Sequence, residues 1–279
     1  MSFNDDIILI QLYADDNQKI MDKEIALITG ASSGIGREFA RIHAGRGGNL
    51  VIVARSENKL NELKAELEKT HSVSVMVIAK DLSLPDAPKE IYEEVKKAGI
   101  RVDYLINNAG FGGRGKFHER EWENDLAMIH VNVRALTALT RFFLPDFVKR
   151  NDGRILNVSS SAALIPGPLQ AVYYATKAYV TYFSNALAEE LHDTEITVTA
   201  LMPGATETEF GRVSGMDKTS MFRKMVSARS VAEAGYEGML KGKLDVITGL
   251  SAAQRVQSWF IPFMPKKMLL RMVRKMQEV

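Results

Sequence analysis

The sequence predicts an α/β fold, a doubly wound and mostly parallel sheet in a single domain. Three observations carry that expectation. Short apolar, β-branched runs recur between turn residues, which is the pattern of buried strands. Helical spacing of leucines and other apolar residues fills the intervals, and strand–helix alternation calls for a parallel sheet covered on both faces. A glycine-rich turn follows the first strand directly.

The strands are expected at residues 25–29, 50–53, 73–79, 104–106, 155–158, 196–201 and 244–248. The clearest helices are 56–69, with Leu60, Leu63 and Leu67 on one face, a long one at 126–148, and 170–191. No repeat or linker interrupts residues 21–250, which read as the domain. Residues 1–20 read as an appendage of net charge −3 with one apolar stretch at 7–10. They fit an added edge strand, a partner contact, or sequence upstream of a start at Met21. Residues 251–279 form a tail of net charge +5.

Composition excludes several classes. Hydrophobic residues make up 46% of the 279-residue chain, enough for a large core. There is no cysteine, so disulfides, thiolate metal sites and a cysteine nucleophile are ruled out; a reducing cytoplasm fits. His43, His71, His118, His130 and His192 form no close ligand pair, and no metal is expected. A net charge of +2 gives no reason to expect nucleic acid. No apolar run approaches the roughly 18–20 residues of a membrane span, and the N-terminus lacks a secretory pattern.

The first chemical signal is Thr29-Gly30-Ala31-Ser32-Ser33-Gly34-Ile35-Gly36-Arg37. Glycines allow a tight turn and close approach of a ligand, and the following helix aims its free N–H groups at a phosphate. Strand, glycine turn and helix in this order form a dinucleotide-binding context. The second signal is Tyr173 four residues before Lys177, with Ser160 thirteen positions upstream. Residues i and i+4 share a helical face. A nearby cation lowers the phenol pKa from its usual value of about 10, toward a usable general acid or base.

With its Gly-x-x-x-Gly-x-Gly spacing and Tyr-x-x-x-Lys pair, the chain resembles the classical short-chain dehydrogenase/reductase family over roughly residues 22–250, a Rossmann-like fold. The other family motifs follow in order. Asp81 and Leu82 come after the third strand, where the resemblance implies adenine contact. Asn107-Asn108-Ala109-Gly110 comes after the fourth, forming a cofactor wall. Asn132 matches the family's catalytic Asn, and Ser160 its serine. Pro203, Gly204, Thr206 and Thr208 follow the sixth strand, near the nicotinamide. The family spacing selects Tyr173 over Tyr174 and Ser160 over Ser159 and Ser161. The resemblance implies carbonyl reduction, reversible as alcohol oxidation. Tyr173 would exchange the proton and Ser160 would bond the carbonyl oxygen. Lys177 would lower the Tyr173 pKa and hold the nicotinamide ribose, and Asn132 would position a relay water. Family members are usually dimers or tetramers, so the resemblance implies a homodimer or homotetramer. A non-catalytic dinucleotide sensor on the same fold is the alternative.

The second strand addresses the cofactor. An acidic residue about 20 positions past the turn would bond the ribose of NAD; this chain has Ala54 and then Arg55. Arg55, with help from Arg37, suits a 2′-phosphate, so NADP(H) is expected. The substrate loop is expected at about 205–229, with Phe210, Val213, Met216, Met221, Phe222 and Met225. Leu164, Ile165 and Leu169 stand nearby, and an apolar small-molecule ketone or acyl substrate is the expectation. In the tail, Trp259, Phe260, Ile261, Phe263 and Met264 precede Pro265. Beyond it, Met268, Leu269, Met272, Val273 and Met276 share a helical face opposite Lys267, Arg271, Arg274 and Lys275. Such a helix packs on its own domain or a partner subunit, or lies on an anionic membrane as a peripheral contact.

Overall fold

A computed structural model of the chain describes residues 23–217, 219, 222, 225–250 and 264–278. The appendage at 1–20, Met221 and the aromatic stretch at 259–263 lie outside the described residues.

Seven strands form one sheet: β1 (Ile25–Thr29), β2 (Asn49–Ala54), β3 (Val75–Ala79), β4 (Tyr104–Asn107), β5 (Gly153–Val158), β6 (Ile196–Pro203) and, at the far edge, β9 (Asp245–Thr248). Their order is β3-β2-β1-β4-β5-β6-β9, and every pairing is parallel. A separate short pair joins β7 (Thr206–Glu207) to β8 (Val226–Ser227). The strand order reverses direction between β1 and β4, where an open α/β sheet forms its ligand crevice.

Strand residues alternate between two cores. Ala26, Ile28, Leu50, Ile52 and Leu156 face α1 (Gly34–Gly45), α2 (Glu57–Thr70) and α8 (Ala228–Leu240) through Phe39, Leu60, Leu63, Val231 and Tyr236. Leu27, Val51, Leu105, Ile155 and Val198 face the other way. They meet Ile91 and Val95 of α3 (Ala87–Lys97), Phe143 and Phe147 of α5 (Leu136–Arg150), and Leu187 of α6 (Ala171–Glu190). Burial on both faces explains why these strands read as continuous apolar runs rather than alternating ones.

Several boundaries differ from the sequence expectation: the fifth strand starts at Gly153, not residue 155, and the sixth runs on to Pro203, not residue 201. The third strand starts at Val75, not residue 73. The helix expected at 126–148 is three pieces: α4 (Trp122–Ile129), a π-helical stretch at His130–Ala135 that holds Asn132, and α5. Apolar periodicity does not register one wide turn inside a helix. Such turns are frequent at functional sites.

Candidate active site

A cavity of about 1530 Å³ opens at the C-terminal ends of β1, β4, β5 and β6. Its nucleotide side is built from backbone. Gly30 and Gly34 adopt left-handed φ values of +68° and +55°. A Cβ on Gly30 would come within 2.8 Å of Asn108 Nδ2, and one on Gly34 within 2.9 Å of Thr208 Cγ2. Ser33 caps α1 with no side-chain hydrogen bond, and no acid stands in the first turn. The free N–H groups and positive end of this helix thus suit an anion. Ser32, Ser33, Gly34 and Ile35 line the cavity there. Gly36 does not reach it; it lets α1 press on the Gly30 carbonyl and the Asn108 amide.

Asn108 joins β1 to β4. Its backbone N–H donates to Thr29 Oγ1 at 3.0 Å, and its Nδ2 donates to the Thr29 carbonyl at 2.9 Å. Ala109 and Gly110 continue the wall. Asn107 points under the site, donating to Asn157 Oδ1 at 2.9 Å and Thr140 Oγ1 at 3.2 Å. Pro203, Gly204, Thr206 and Thr208 close the opposite wall.

At the outer end stand Arg55, Asp81, Leu82, Lys59 and Lys80. The two lysines were not anticipated from sequence; an isolated Lys on a helix or strand end carries no motif. Burial works to raise the Asp81 pKa. Donation from Ser83 N–H (2.9 Å) and Oγ (2.8 Å), with the Arg55 charge, outweighs it and holds the carboxyl below its ordinary range. Arg37 departs from the expected role. Its guanidinium turns away to Glu66 at 3.1 Å, beside Arg41, and lies outside the cavity lining. Position on the second turn-facing side of α1 puts it within reach of α2, which sequence spacing does not reveal. The glycine cradle, the free helix N-terminus and the cationic outer end fit a dinucleotide.

The chemistry-bearing side chains meet at the inner end. Tyr173 and Lys177 stand one turn apart on α6, with Lys177 Nζ 6.0 Å from the Tyr173 ring centre. Lys177 Nζ donates to the Val158 carbonyl at 2.8 Å, at the end of β5. Ser160 Oγ accepts from Ala162 N–H at 3.1 Å, which fixes the hydroxyl beside the Tyr173 phenol. Ser159 is turned inward, donating to the Lys177 carbonyl at 2.8 Å. A Cβ on Gly110 would come within 3.1 Å of Asn132 Oδ1 and 3.2 Å of Lys177 Nζ, so both groups converge there. The Asn132 side chain is already engaged. Its Oδ1 accepts from Phe111 N–H (3.1 Å), and its Nδ2 donates to the Phe111 carbonyl and Thr176 Oγ1 (both 3.0 Å).

The expected tuning of Tyr173 by Lys177 is not what governs these groups in the structure. Burial pushes the Tyr173 pKa up to about 12, with Ser160 pulling it partly back. Burial also lowers Lys177 from 10.5 to about 8. Removal from water penalises both charged forms, and here it exceeds the attraction that helical spacing alone suggests.

The substrate side is built from side chains. Phe210 and Val213 of α7 (Phe210–Ser214) line it with Met216, Phe222, Met225, Leu164 and Ile165. Leu169 is not part of the lining; it holds a left-handed φ of +68° just before α6. The tail helix α9 (Lys266–Gln277) adds Met272, Val273 and Met276 to this wall. Its Leu269 and Val273 are buried among Met128, Ala162, Tyr173 and Tyr174. Most of the apolar face thus packs on the domain, while Met268, Met276 and the basic side chains stay exposed. Among the described residues no helix is long and apolar enough to cross a membrane, and no acid–histidine cluster suits a metal.

Fold and cavity together define an α/β protein of dinucleotide-binding type. The sequence profile described as short chain dehydrogenase matches residues 24–218, well over half of the chain. The chain belongs to the short-chain dehydrogenase family. It is 35% identical over 205 residues to the very-long-chain 3-oxoacyl-CoA reductase of Mus musculus, an alignment covering 71% of this chain and 64% of that protein. Among solved structures, it is similar to a short-chain dehydrogenase from Sphingobium yanoikuyae in complex with NADPH. That match has a TM-score of 0.78 and 32% identity, and covers 92% of this chain and 98% of the other. The bulky-bulky ketone specific alcohol dehydrogenase from Comamonas testosteroni gives a TM-score of 0.74 and 29% identity, over 92% and 97% of the two chains.

Proposed function

We propose that the chain is an NADPH-dependent reductase that converts an apolar ketone, a 3-oxoacyl group or a comparably bulky carbonyl, to the alcohol. The observation that carries this reading is the placement of Ser160, Tyr173 and Lys177 between the glycine cradle and an apolar chamber. The reductase and the ketone-specific dehydrogenase among its relatives support the substrate class, and the NADPH complex supports the cofactor. Arg55, Lys59 and Lys80 would hold the 2′-phosphate end, and Ser32, Ser33 and the first turn of α1 the pyrophosphate.

When bound, the reduced dinucleotide supplies the hydride. The chain's own residues place the carbonyl and provide the proton. The Ser160 hydroxyl, held from behind by Ala162 N–H, keeps its hydrogen free to donate to the carbonyl oxygen. As negative charge grows on that oxygen, the Tyr173 O–H transfers its proton and the alcohol forms. A phenol pushed up to about 12 is fully protonated at neutral pH, the form a reduction requires. Lys177, at about 8, lies close enough to neutrality to return that proton to Tyr173. Asn132 anchors the segment above Gly110 through Phe111 and fixes the distance between the π-helical stretch and α6.

The test is a panel of 3-oxoacyl thioesters and aryl or steroidal ketones, with NADPH and NADH oxidation followed by absorbance. The expected result is turnover of the larger apolar ketones with NADPH preferred. Tight NADPH binding without turnover of any ketone would favour the dinucleotide-sensor alternative instead.

A further inference from the structure

Gln277 is fully buried, although it lies in the last turn of a strongly basic helix near the end of the chain. It occupies the position four residues beyond Val273 and eight beyond Leu269, so the buried face of α9 ends on a carboxamide. Burying such a group is unfavourable unless its hydrogen bonds are satisfied. Here two side chains at the start of α6 satisfy it, and a third residue holds the backbone beside it. Its Oε1 accepts from Gln170 Nε2 at 2.9 Å, its Nε2 donates to the Tyr174 hydroxyl at 3.2 Å, and its backbone carbonyl accepts from Arg114 Nε at 2.7 Å.

Each of these partners is itself held. Arg120 donates to the Arg114 carbonyl at 3.1 Å and pairs with the buried Asp125 at 2.6 Å. Gln170 follows Leu169, whose left-handed backbone is unusual for a bulky residue. Gly115 N–H donates to the Leu169 carbonyl at 2.9 Å and stabilises that bend. The second Gln170 Nε2 hydrogen reaches Met216 Sδ at 3.0 Å, on the substrate loop, while its Oε1 has no partner. Burial raises the Tyr174 pKa and keeps it a neutral phenol able to accept from Gln277. The same helix that Gln277 fixes presents Met272, Val273 and Met276 to the chamber.

We propose that Gln277 is a positioning residue for substrate size: it pins α9 as the outer wall of the chamber, and the pinned methionines set which ketones fit. The size claim rests on the reductase reading above; the pin itself does not. Adjacent tyrosines then have separate tasks, Tyr173 at the reacting carbonyl and Tyr174 at the wall.

The experiment uses the full-length chain and Gln277→Leu, which keeps the volume and removes both side-chain bonds. Hydrogen–deuterium exchange should speed up about tenfold over residues 264–278, with β1 and β4 unchanged. On a ladder of ketones of rising size, KM for the best-fitting ketone should rise about fivefold, the range expected for one or two lost hydrogen bonds. Its kcat should stay within about twofold, and the preference between small and large ketones should flatten. Should Gln277→Leu fail to fold, Tyr174→Phe removes one of the bonds and should move exchange and KM in the same directions by about half as much. Unchanged exchange over 264–278 would overturn the pin. Faster exchange with a uniform fall in kcat and no KM change would overturn the size role. A wild type that reduces no ketone, with Gln277→Leu still loosening the tail, would overturn the reductase reading and leave the pin standing.

Discussion

The two ends of the cavity are built by opposite means. At the nucleotide end, the surface is backbone: two left-handed glycines, an uncapped helix, and an asparagine that joins β1 to β4. At the substrate end, the surface is methionine, phenylalanine and leucine side chains from the loop after β6, the segment after β5 and the tail. A backbone surface tolerates few residue types at each position, because a Cβ on Gly30 would collide with Asn108. A side-chain surface tolerates many, because apolar residues of similar volume replace one another at modest cost. The first end is therefore rigid in sequence and general in what it binds. The second is free in sequence and, on the proposed reductase reading, would set the specificity.

Three substitutions sharpen that contrast, beginning where the two ends meet. Ser160→Ala removes the donor aimed at the carbonyl oxygen and should lower kcat by about 10²–10³, with NADPH affinity within a few-fold by fluorescence titration. An equal loss of NADPH binding would move Ser160 from the substrate side to the nucleotide side.

Lys177→Met tests the buried centre through stability. The folded-state pKa of Lys177 is depressed, about 8 against an ordinary 10.5. Between those values the folded chain binds fewer protons than the unfolded one, so stability rises with pH through this window. Below about pH 8 both states are protonated and the lysine adds no slope. Relative to Lys177→Met, wild-type stability in urea should climb between pH 8 and 10, by at most about 3 kcal/mol. Parallel profiles for the two proteins would contradict the burial argument.

Arg55→Glu tests the outer nucleotide end. It places a carboxylate where a 2′-phosphate would bind and should lower kcat/KM with NADPH by about 10–100-fold. Activity with NADH should hold or improve. An equal fall with both cofactors would assign Arg55 to structure rather than to recognition.

The same contrast explains what could be read from the sequence. The parallel sheet was legible because β2 is buried at every position and so is apolar at nearly every position. The glycine turn, Asn108 and the Tyr173–Lys177 pair were legible because fixed spacing accompanies each of them. Four features were not. Arg37 turned to Glu66, since a guanidinium on α1 follows the nearest carboxylate on α2, and that neighbour is set by helix packing. The protonation of Tyr173 follows burial, which a one-helix argument omits. Gln277 was missed because a glutamine at the end of a basic helix looks solvated; only its i+4 spacing from Val273 pointed inward, and its partners lie more than 100 residues away in sequence. The π-helical stretch around Asn132 left no apolar signature either.

The central claim is that Tyr173, and not its neighbour, gives the proton. The most direct test is single-turnover ketone reduction with bound NADPH in Tyr173→Phe and Tyr174→Phe side by side. Tyr173→Phe should slow the chemical step by at least about 10², with NADPH binding retained. Tyr174→Phe should keep the chemical step within about tenfold of wild type and alter mainly KM. A fast chemical step in Tyr173→Phe, with Tyr174→Phe inactive but folded, would contradict the account.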